Sequence, residues 1–314
     1  MYRYIFGPVQ SRRFGLSLGI DLSPDSKSCN FDCLYCELQP ARVTDRIDNP
    51  PAAGDILAEV KRALAEYPDI DVITITANGE PTLYPQLAEL VDALQHIKAD
   101  AKLLILSNAS MIYDPEIRDI LKEIDIVKLS LDCATPACFK KLDRPLKSVR
   151  IEDIIEGLVA FRNVFEGDLI LEILVVSGIN DKEEEMRALA KVLDRVNPDR
   201  VDLGTIDRPP AYDVRGVSTK TLKNLSHYLG HHNISIMHKE IPQQKVDFSE
   251  AEILATLRRR PQSESDVAYL FSQKARANLE KLVADKRVVI QQIAGVRFYV
   301  LSDNEPKRKN DGIL

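Results

Sequence analysis

From its start to about residue 238 the chain alternates short apolar runs with amphipathic stretches. Strands buried on both faces read as continuous apolar runs, and an intervening helical period is the pattern of βα units around a parallel sheet. Six runs read as strands, at 16–22, 72–77, 103–107, 126–131, 169–176 and 201–205. Helical spacing occupies 53–67, 86–97, 115–123, 151–165 and 182–196, and a sixth helix at 219–229 follows the last strand. The third helix has a written start: Asp114 as cap, Pro115 at the first helical position and Glu116 in the first turn.

Beyond about Lys239 the rhythm changes. Helical patterns at 249–258, 263–271 and 273–285 precede two strand-like runs, VVIQQI and VRFYVL, joined by Ala294-Gly295, which is a winged-helix order. The expected organisation is a βα domain over 1–238, a winged-helix-like domain over 247–302 and a disordered tail over 303–314. The chain has a net charge of −6, but between Ser249 and Leu301 nine Lys or Arg stand against six Asp or Glu. That segment is therefore about +3 and the remainder about −9, which suits nucleic acid or protein docking through the appended domain alone. Arg258, Arg259 and Arg260 also read as a solvated helix end. No apolar h-region opens the chain and no uncharged run is long enough to span a bilayer, so a cytoplasmic protein with no membrane partner is expected.

The candidate chemistry is concentrated in CNFDCLYC, where Cys29, Cys33 and Cys36 fall within eight residues, just after the first strand. Three thiolates on one loop can hold three irons of a 4Fe–4S cluster and leave the fourth open. Zinc would require a second Cys pair or a His pair nearby. Cys133 and Cys138 lie about a hundred residues away in a CxxxxC spacing unlike a zinc knuckle. Five cysteines in 314 residues are too few and too odd for a secreted disulfide scaffold, and Cys133 and Cys138 read as buried inert thiols, with a radical relay or auxiliary ligation as the other uses. His227, His231 and His232 read as surface residues near a helix end.

The CxxxCxxC spacing resembles the signature of the radical S-adenosylmethionine (SAM) superfamily. A second motif, Asn78-Gly79-Glu80-Pro81 at the end of the second strand, resembles that superfamily's GGEP motif, although a plain turn is its other reading. The resemblance implies a partial (βα)6 barrel, a 4Fe–4S cluster, SAM bound at the open iron, an electron donor such as flavodoxin or ferredoxin, and cleavage of SAM to a 5′-deoxyadenosyl radical. It implies further that Tyr35 lies against the adenine, that the loop from Asn78 to Pro81 holds the SAM amino group through backbone and carboxylate, and that Asp132 serves the ribose. GPVQSRRFGLSLGIDL, KLSLDCATPACFKKLDRP, LEILVVSGIND and DRPP together resemble the branch grouped with the wyosine-forming tRNA enzymes. Those enzymes carry further cysteines upstream for a second cluster, and here none precedes Cys29, which argues against their tRNA ring closure.

Other candidates follow from strand alternation. Lys128, Ser130 and Asp132 share one face of the fourth strand. Glu172 interrupts LILEILVV and needs a partner, either Lys128 in a buried ion pair or a SAM or substrate group. Ser107 and Asn108 end the third strand at the barrel mouth, where Asn108 reads equally as a turn residue. Asn180-Asp181, in the turn from Gly178 to Asp181, reads as the cap of the helix that follows, while the resemblance implies that this turn helps bound the adenine site. Arg144 and Arg208 are substrate candidates with Lys128, whereas Arg12 and Arg13 either grip substrate or close the barrel's bottom or side. Two functions stand: an enzyme that cleaves SAM and modifies a substrate, RNA or a peptide, presented by the winged helix, or an iron–sulfur redox sensor whose winged helix reads DNA. A SAM clamp at Asn78 to Pro81 belongs to the first.

Overall fold

The computed structural model describes residues 2–11, 13–208, 210–236, 245–259, 261–293 and 296–302. Arg12, Arg260, the Ala294-Gly295 turn and the tail from 303 lie outside the described residues. The chain divides into two units, one of Met1–Ile206 with Val214–Met237, the other of Asp207–Asp213 with His238–Leu314.

The first unit has an α/β fold built on one eight-stranded sheet in sequential order, β1 (Ile5–Ser11), β2 (Gly15–Asp21), β3 (Val72–Thr76), β4 (Lys102–Ser107), β5 (Ile126–Ser130), β6 (Asp168–Val175), β7 (Arg200–Thr205) and β8 (Ile234–Ile236). Strands β2 to β8 are parallel and β1 is antiparallel to β2. The helices are α1 (Ala53–Glu66), α2 (Leu87–Ile97), α3 (Pro115–Leu121), α4 (Pro136–Leu142), α5 (Ile151–Arg162), α6 (Glu183–Val196) and α7 (Thr219–Ser226). All six expected strands are present. The sheet gains β1 and β8 at its edges: Pro8 and the short ISI run carry weak strand signals, so pairing with a formed neighbour decides both. Helix α4 is also new. Thr135 caps it, its Oγ1 accepting from the Cys138 amide at 3.3 Å. Asp114 caps α3 as the sequence predicts.

Alternation sorts the strand residues into two faces. Ile73, Ile75, Leu103, Ile105, Val127, Leu129, Leu169, Leu171, Val201 and Leu203 belong to the large core shared with the helices. On the opposite face Val72, Leu104, Ile126 and Ile170 form a separate apolar plug near the amino ends, with Phe14 packed on it. Beyond the plug comes a charged layer. Asp202 is fully buried, with Lys128 Nζ at 3.3 Å and Arg200 Nε at 2.8 Å, while Lys128 also meets Glu172 at 2.6 Å. Arg13, in the β1–β2 turn, reaches Asp202 and donates to Ser235 Oγ at 2.8 Å. It thus closes the bottom of the sheet between its first hairpin and its last strands, one of the two roles its sequence position allows.

The second unit contains α8 (Glu250–Arg259), β9 (Gln262–Ser263), α9 (Glu264–Leu270), α10 (Gln273–Ala284), β10 (Val288–Ile293) and β11 (Val296–Leu301). Its three strands make an antiparallel sheet in the order β10-β11-β9. Ile253, Leu254, Leu257, Val267, Phe271, Leu279 and Leu282 form its own core. A capping box at Ser263 and Asp266 opens α9.

Candidate active site

The carboxyl ends of β2, β3, β4 and β5 carry the loops with the predicted chemistry, and backbone pairing locks two of them together. Ser28 N donates to Asn78 O at 2.9 Å and Glu80 N to Ser28 O at 2.9 Å, a one-residue parallel bridge between Ser28 and Gly79. Gly79 has φ +142°, and a Cβ there would lie 1.8 Å from Ser28 O, so the position admits glycine alone. Asp21, the last residue of β2, accepts from the Ser23 and Asn78 amides at 3.0 and 2.7 Å. The two motifs, some fifty residues apart in sequence, are thus a single joint.

Cys29, Cys33 and Cys36 are half-buried free thiols on the loop after β2. Cys29 Sγ receives the Phe31 amide at 3.5 Å and Asn108 Nδ2 at 3.6 Å, and Cys36 Sγ receives Lys27 Nζ at 3.6 Å. Leu34 N and Asp32 N donate to Leu142 O and Asp143 O at 2.9 and 3.1 Å, so the carboxyl end of α4 holds the loop. Burial, with Glu80 nearby, pushes the Cys29 thiol up to about 12, and burial with Asp143 raises Cys33 well above the ordinary thiol range. In the free protein both are protonated at neutral pH, and metal must displace those protons. Among the described residues no three Cys, His, Asp or Glu side chains converge as ligands of one mononuclear ion. Three thiols spread along one loop, with N–H donors on the sulfurs of Cys29 and Cys36, suit a cubane, whose ligands bind separate irons.

The other predicted residues are brought to the same end but are committed to one another. The buried Glu80 carboxylate accepts from Thr82 N (3.0 Å), Thr82 Oγ1 (2.6 Å), Ser107 Oγ (2.7 Å) and Asn108 N (2.7 Å), and Pro81 begins a single 3-10 turn behind it. Burial raises its pKa while these bonds oppose the rise. Asn108 bonds Asn30 Oδ1 at 3.0 Å. Asp132, 4% exposed, accepts from the Tyr35 hydroxyl and from Leu174 N at 2.6 Å. Burial, with Glu172 adding to it, pushes Asp132 up to about 7 against those two bonds. Of the two readings of Glu172, the ion pair with Lys128 is the one present, below these loops. Arg144 lies 3.2 Å from Asp32. Arg208 is exposed and falls in the second unit.

Two expectations are corrected. Asn180 does not cap α6, whose cap position is Lys182. Fully buried, it accepts from Val176 N at 2.7 Å and donates to Asp132 O and Leu174 O, each at 2.9 Å, bracing Asp132 from behind. A buried amide that folds the chain back on itself looks like a cap in sequence, and only the register of β5 and β6 separates the two. Cys133 and Cys138 are joined in a disulfide rather than left as separate thiols, because the Thr135-Pro136 start of α4 turns Cys138 back toward Cys133, with Cα atoms 5.6 Å apart. In that state neither is an auxiliary ligand.

Comparison with known proteins gives this geometry its context. The sequence profile of the Radical SAM superfamily matches residues 24–190. A Helicobacter pylori protein named UPF0026 protein is 39% identical over 298 residues, 94% of this chain and 96% of that one. A Brachyspira hyodysenteriae protein named GTPase Obg is 33% identical over 95% of this chain, which spans 45% of its own length. Among solved structures, Streptococcus suis SuiB bound to its precursor peptide SuiA superposes with a TM-score of 0.56 at 19% identity, over 72% of this chain and 49% of SuiB.

Proposed function

Because the chain belongs to the radical SAM superfamily, a family of enzymes that use a 4Fe–4S cluster and SAM, we propose that Cys29, Cys33 and Cys36 hold that cluster and that the chain cleaves SAM to modify a macromolecule, a peptide in preference to RNA. The observation that carries the reading is the Ser28–Gly79 joint, which fixes the cysteine loop against the Asn78 to Pro81 loop at the strand ends. Held by these three cysteines, the cluster would supply the electron for reductive cleavage of the SAM sulfonium and hence the radical chemistry at substrate. Asn108 and the Phe31 amide steady Cys29. With the Glu80 carboxylate occupied by four donors, the backbone of its loop is the part left for the SAM amino group. Tyr35 and Asn180 hold Asp132 in place for the ribose.

Members of the superfamily need an electron donor, and flavodoxin or ferredoxin is the proposed one here. The helix–strand–helix–helix–strand–strand order of the second unit supports a winged helix. Its cations favour a peptide: Lys281 pairs with Glu250 at 2.7 Å, Arg297 with Glu264 at 2.9 Å, and Arg276 donates to Ala268 O and Phe271 O. Three of the nine Lys or Arg in 249–301 are thus held by groups of the unit itself, which leaves fewer of them to grip a phosphate backbone. The iron–sulfur sensor loses its ground, since the family is one of enzymes.

Anaerobic reconstitution, iron counting and chromatography of 5′-deoxyadenosine after dithionite reduction test the assignment. The wild-type protein is expected to bind one cubane and cleave SAM slowly without substrate. Replacing all three cysteines with alanine should abolish both while far-UV circular dichroism stays unchanged. A triple variant that still holds a cubane overturns the ligand set.

A further inference from the structure

The cysteine loop carries a cation that neither fold nor reaction accounts for. Lys27 has a side chain only 7% exposed, with Nζ 3.6 Å from Cys36 Sγ and 3.9 Å from Asp32 Oδ1. A lysine this buried needs a partner. Its separation from Asp32 exceeds that of a direct charge-assisted bond, about 2.7–2.9 Å, so the sulfur is the partner it reaches first. Asp32 is meanwhile drawn outward, its other oxygen 3.2 Å from the Arg144 guanidinium. Arg144 is held there by a left-handed backbone turn, φ +49°, directly after the α4 end that grips the loop. One carboxylate is shared by two cations, and the inner of the two faces Cys36. The donors on Cys29 are, by contrast, neutral amides.

We propose that Lys27 is a positioning residue that donates a charged N–H to the Cys36 sulfur and thereby raises the reduction potential of the cluster, with Asp32 and Arg144 setting how much of its charge the cluster feels. The inference rests on the cluster assignment made above. Adding an electron makes a thiolate-ligated cluster more negative, so a fixed cation a few ångströms away stabilises the reduced form more than the oxidised one. Hydrogen bonds to the ligating sulfurs and net charge are among the factors that set such potentials. Ease of reduction would then be built into the residue two places before the first cluster cysteine.

The test is a redox titration of the reconstituted full-length protein, followed by electron paramagnetic resonance, with iron and sulfide counted in every sample. At a fixed potential low on the wild-type curve, Lys27→Met should reduce the ratio of reduced to oxidised cluster about tenfold, a downward shift of about 59 mV for a one-electron couple. Lys27→Arg should keep most of the wild-type potential. Asp32→Asn removes the competing negative charge, leaves its backbone bond to Asp143 intact, and should move the potential upward. Arg144→Gln frees Asp32 to draw Lys27 away and should move it downward, by less than Lys27→Met. Coincident titrations of wild type and Lys27→Met overturn the proposal. If Lys27→Met holds no cluster, the sign for Asp32→Asn decides: an upward shift supports the proposal, and no shift or a downward one overturns it. A wild-type protein that takes up no cubane overturns the cluster assignment itself, an outcome visible in the iron count before any potential is measured.

Discussion

The two ends of the strands use polar residues in opposite ways. At the amino ends carboxylates finish the sheet's own hydrogen bonding. Asp71 accepts from Leu16 N at 2.6 Å, Asp125 from Leu103 N at 2.7 Å and Asp199 from Leu169 N at 2.8 Å, each satisfying the amide of the second residue of a neighbouring strand. Just above, Asp202, Lys128, Arg200, Arg13 and Glu172 answer one another. At the carboxyl ends three cysteines stay as thiols, two of them touched by N–H donors alone, while Glu80, Asn108, Tyr35 and Asn180 hold the loops that carry or border them. Polar residues thus mark function where a scaffold is satisfied and something is left over, and mark architecture where nothing is.

The largest effect on the reaction is expected at Gly79. An added Cβ meets Ser28 O at 1.8 Å with the backbone at φ +142°, so Gly79→Ala must part the two loops. SAM cleavage at equal iron content should fall by more than about tenfold, or about 1.4 kcal/mol of barrier, with secondary structure retained. A variant that cleaves at the wild-type rate would show that the joint is incidental.

At the other end, Asp202→Ala leaves three cations around an empty, fully buried site. Breaking a buried ion network from one side costs about 3–5 kcal/mol, read by urea unfolding, while SAM cleavage per folded molecule should stay within about twofold. Normal stability with lost cleavage would break the comparison, because the charged layer would then face substrate.

How much of this was legible depended on whether the signal was local. The six central strands and most helices follow from periodicity, and the cysteine loop with Asn78 to Pro81 follows from spacing. The edge strands did not, since Ile234–Ile236 is three residues long and Pro8 interrupts the other. Lys128 and Glu172 could be paired from alternation, but Asp202 could not: a carboxylate beside Arg200 in RVDLGT reads as the polar start of a strand, and its other two cations, Arg13 and Lys128, come from distant segments. The Cys133–Cys138 bond depends on a helix, α4, whose seven residues were too short to announce it, and the role of Asn180 depends on where β5 and β6 end side by side. Lys27, two residues before Cys29, looks like an ordinary loop lysine until Cys36 is folded back beside it.

A smaller effect should separate Asp132 from the structural carboxylates. Its folded pKa stands near 7 against an unfolded value of about 3.9, so between those values the native protein binds more protons than the unfolded chain. Its contribution to stability is therefore full below about pH 4 and is lost as pH rises through about 7. Urea unfolding of the iron-free protein at pH 5 and pH 8 should show wild type losing stability relative to Asp132→Asn as pH rises. A difference that runs the other way would mean that the Tyr35 and Leu174 bonds outweigh burial.

The smallest effect is expected at the rim of the amino-end cavity, about 850 Å³ in volume and lined by Asp69, Asp100, Lys102 and Asp168 among others. A space of that size is large enough for a small ligand, which makes it the natural place to challenge the assignment of chemistry to the opposite end. The apolar plug of Val72, Leu104, Ile126 and Ile170, with the charged layer above it, lies between this cavity and the thiol loops. Lys102 and Asp168 face each other at 3.9 Å with side chains 60% and 58% exposed, a pair that water and salt screen to at most about 1 kcal/mol. Lys102→Ala should accordingly change urea stability by less than about 1 kcal/mol and leave SAM cleavage where it was. A clear loss of cleavage at unchanged stability and iron content would mean that a group at the amino end senses the reaction through the plug. The division between a finished end and a reactive one would then have to be redrawn around that cavity.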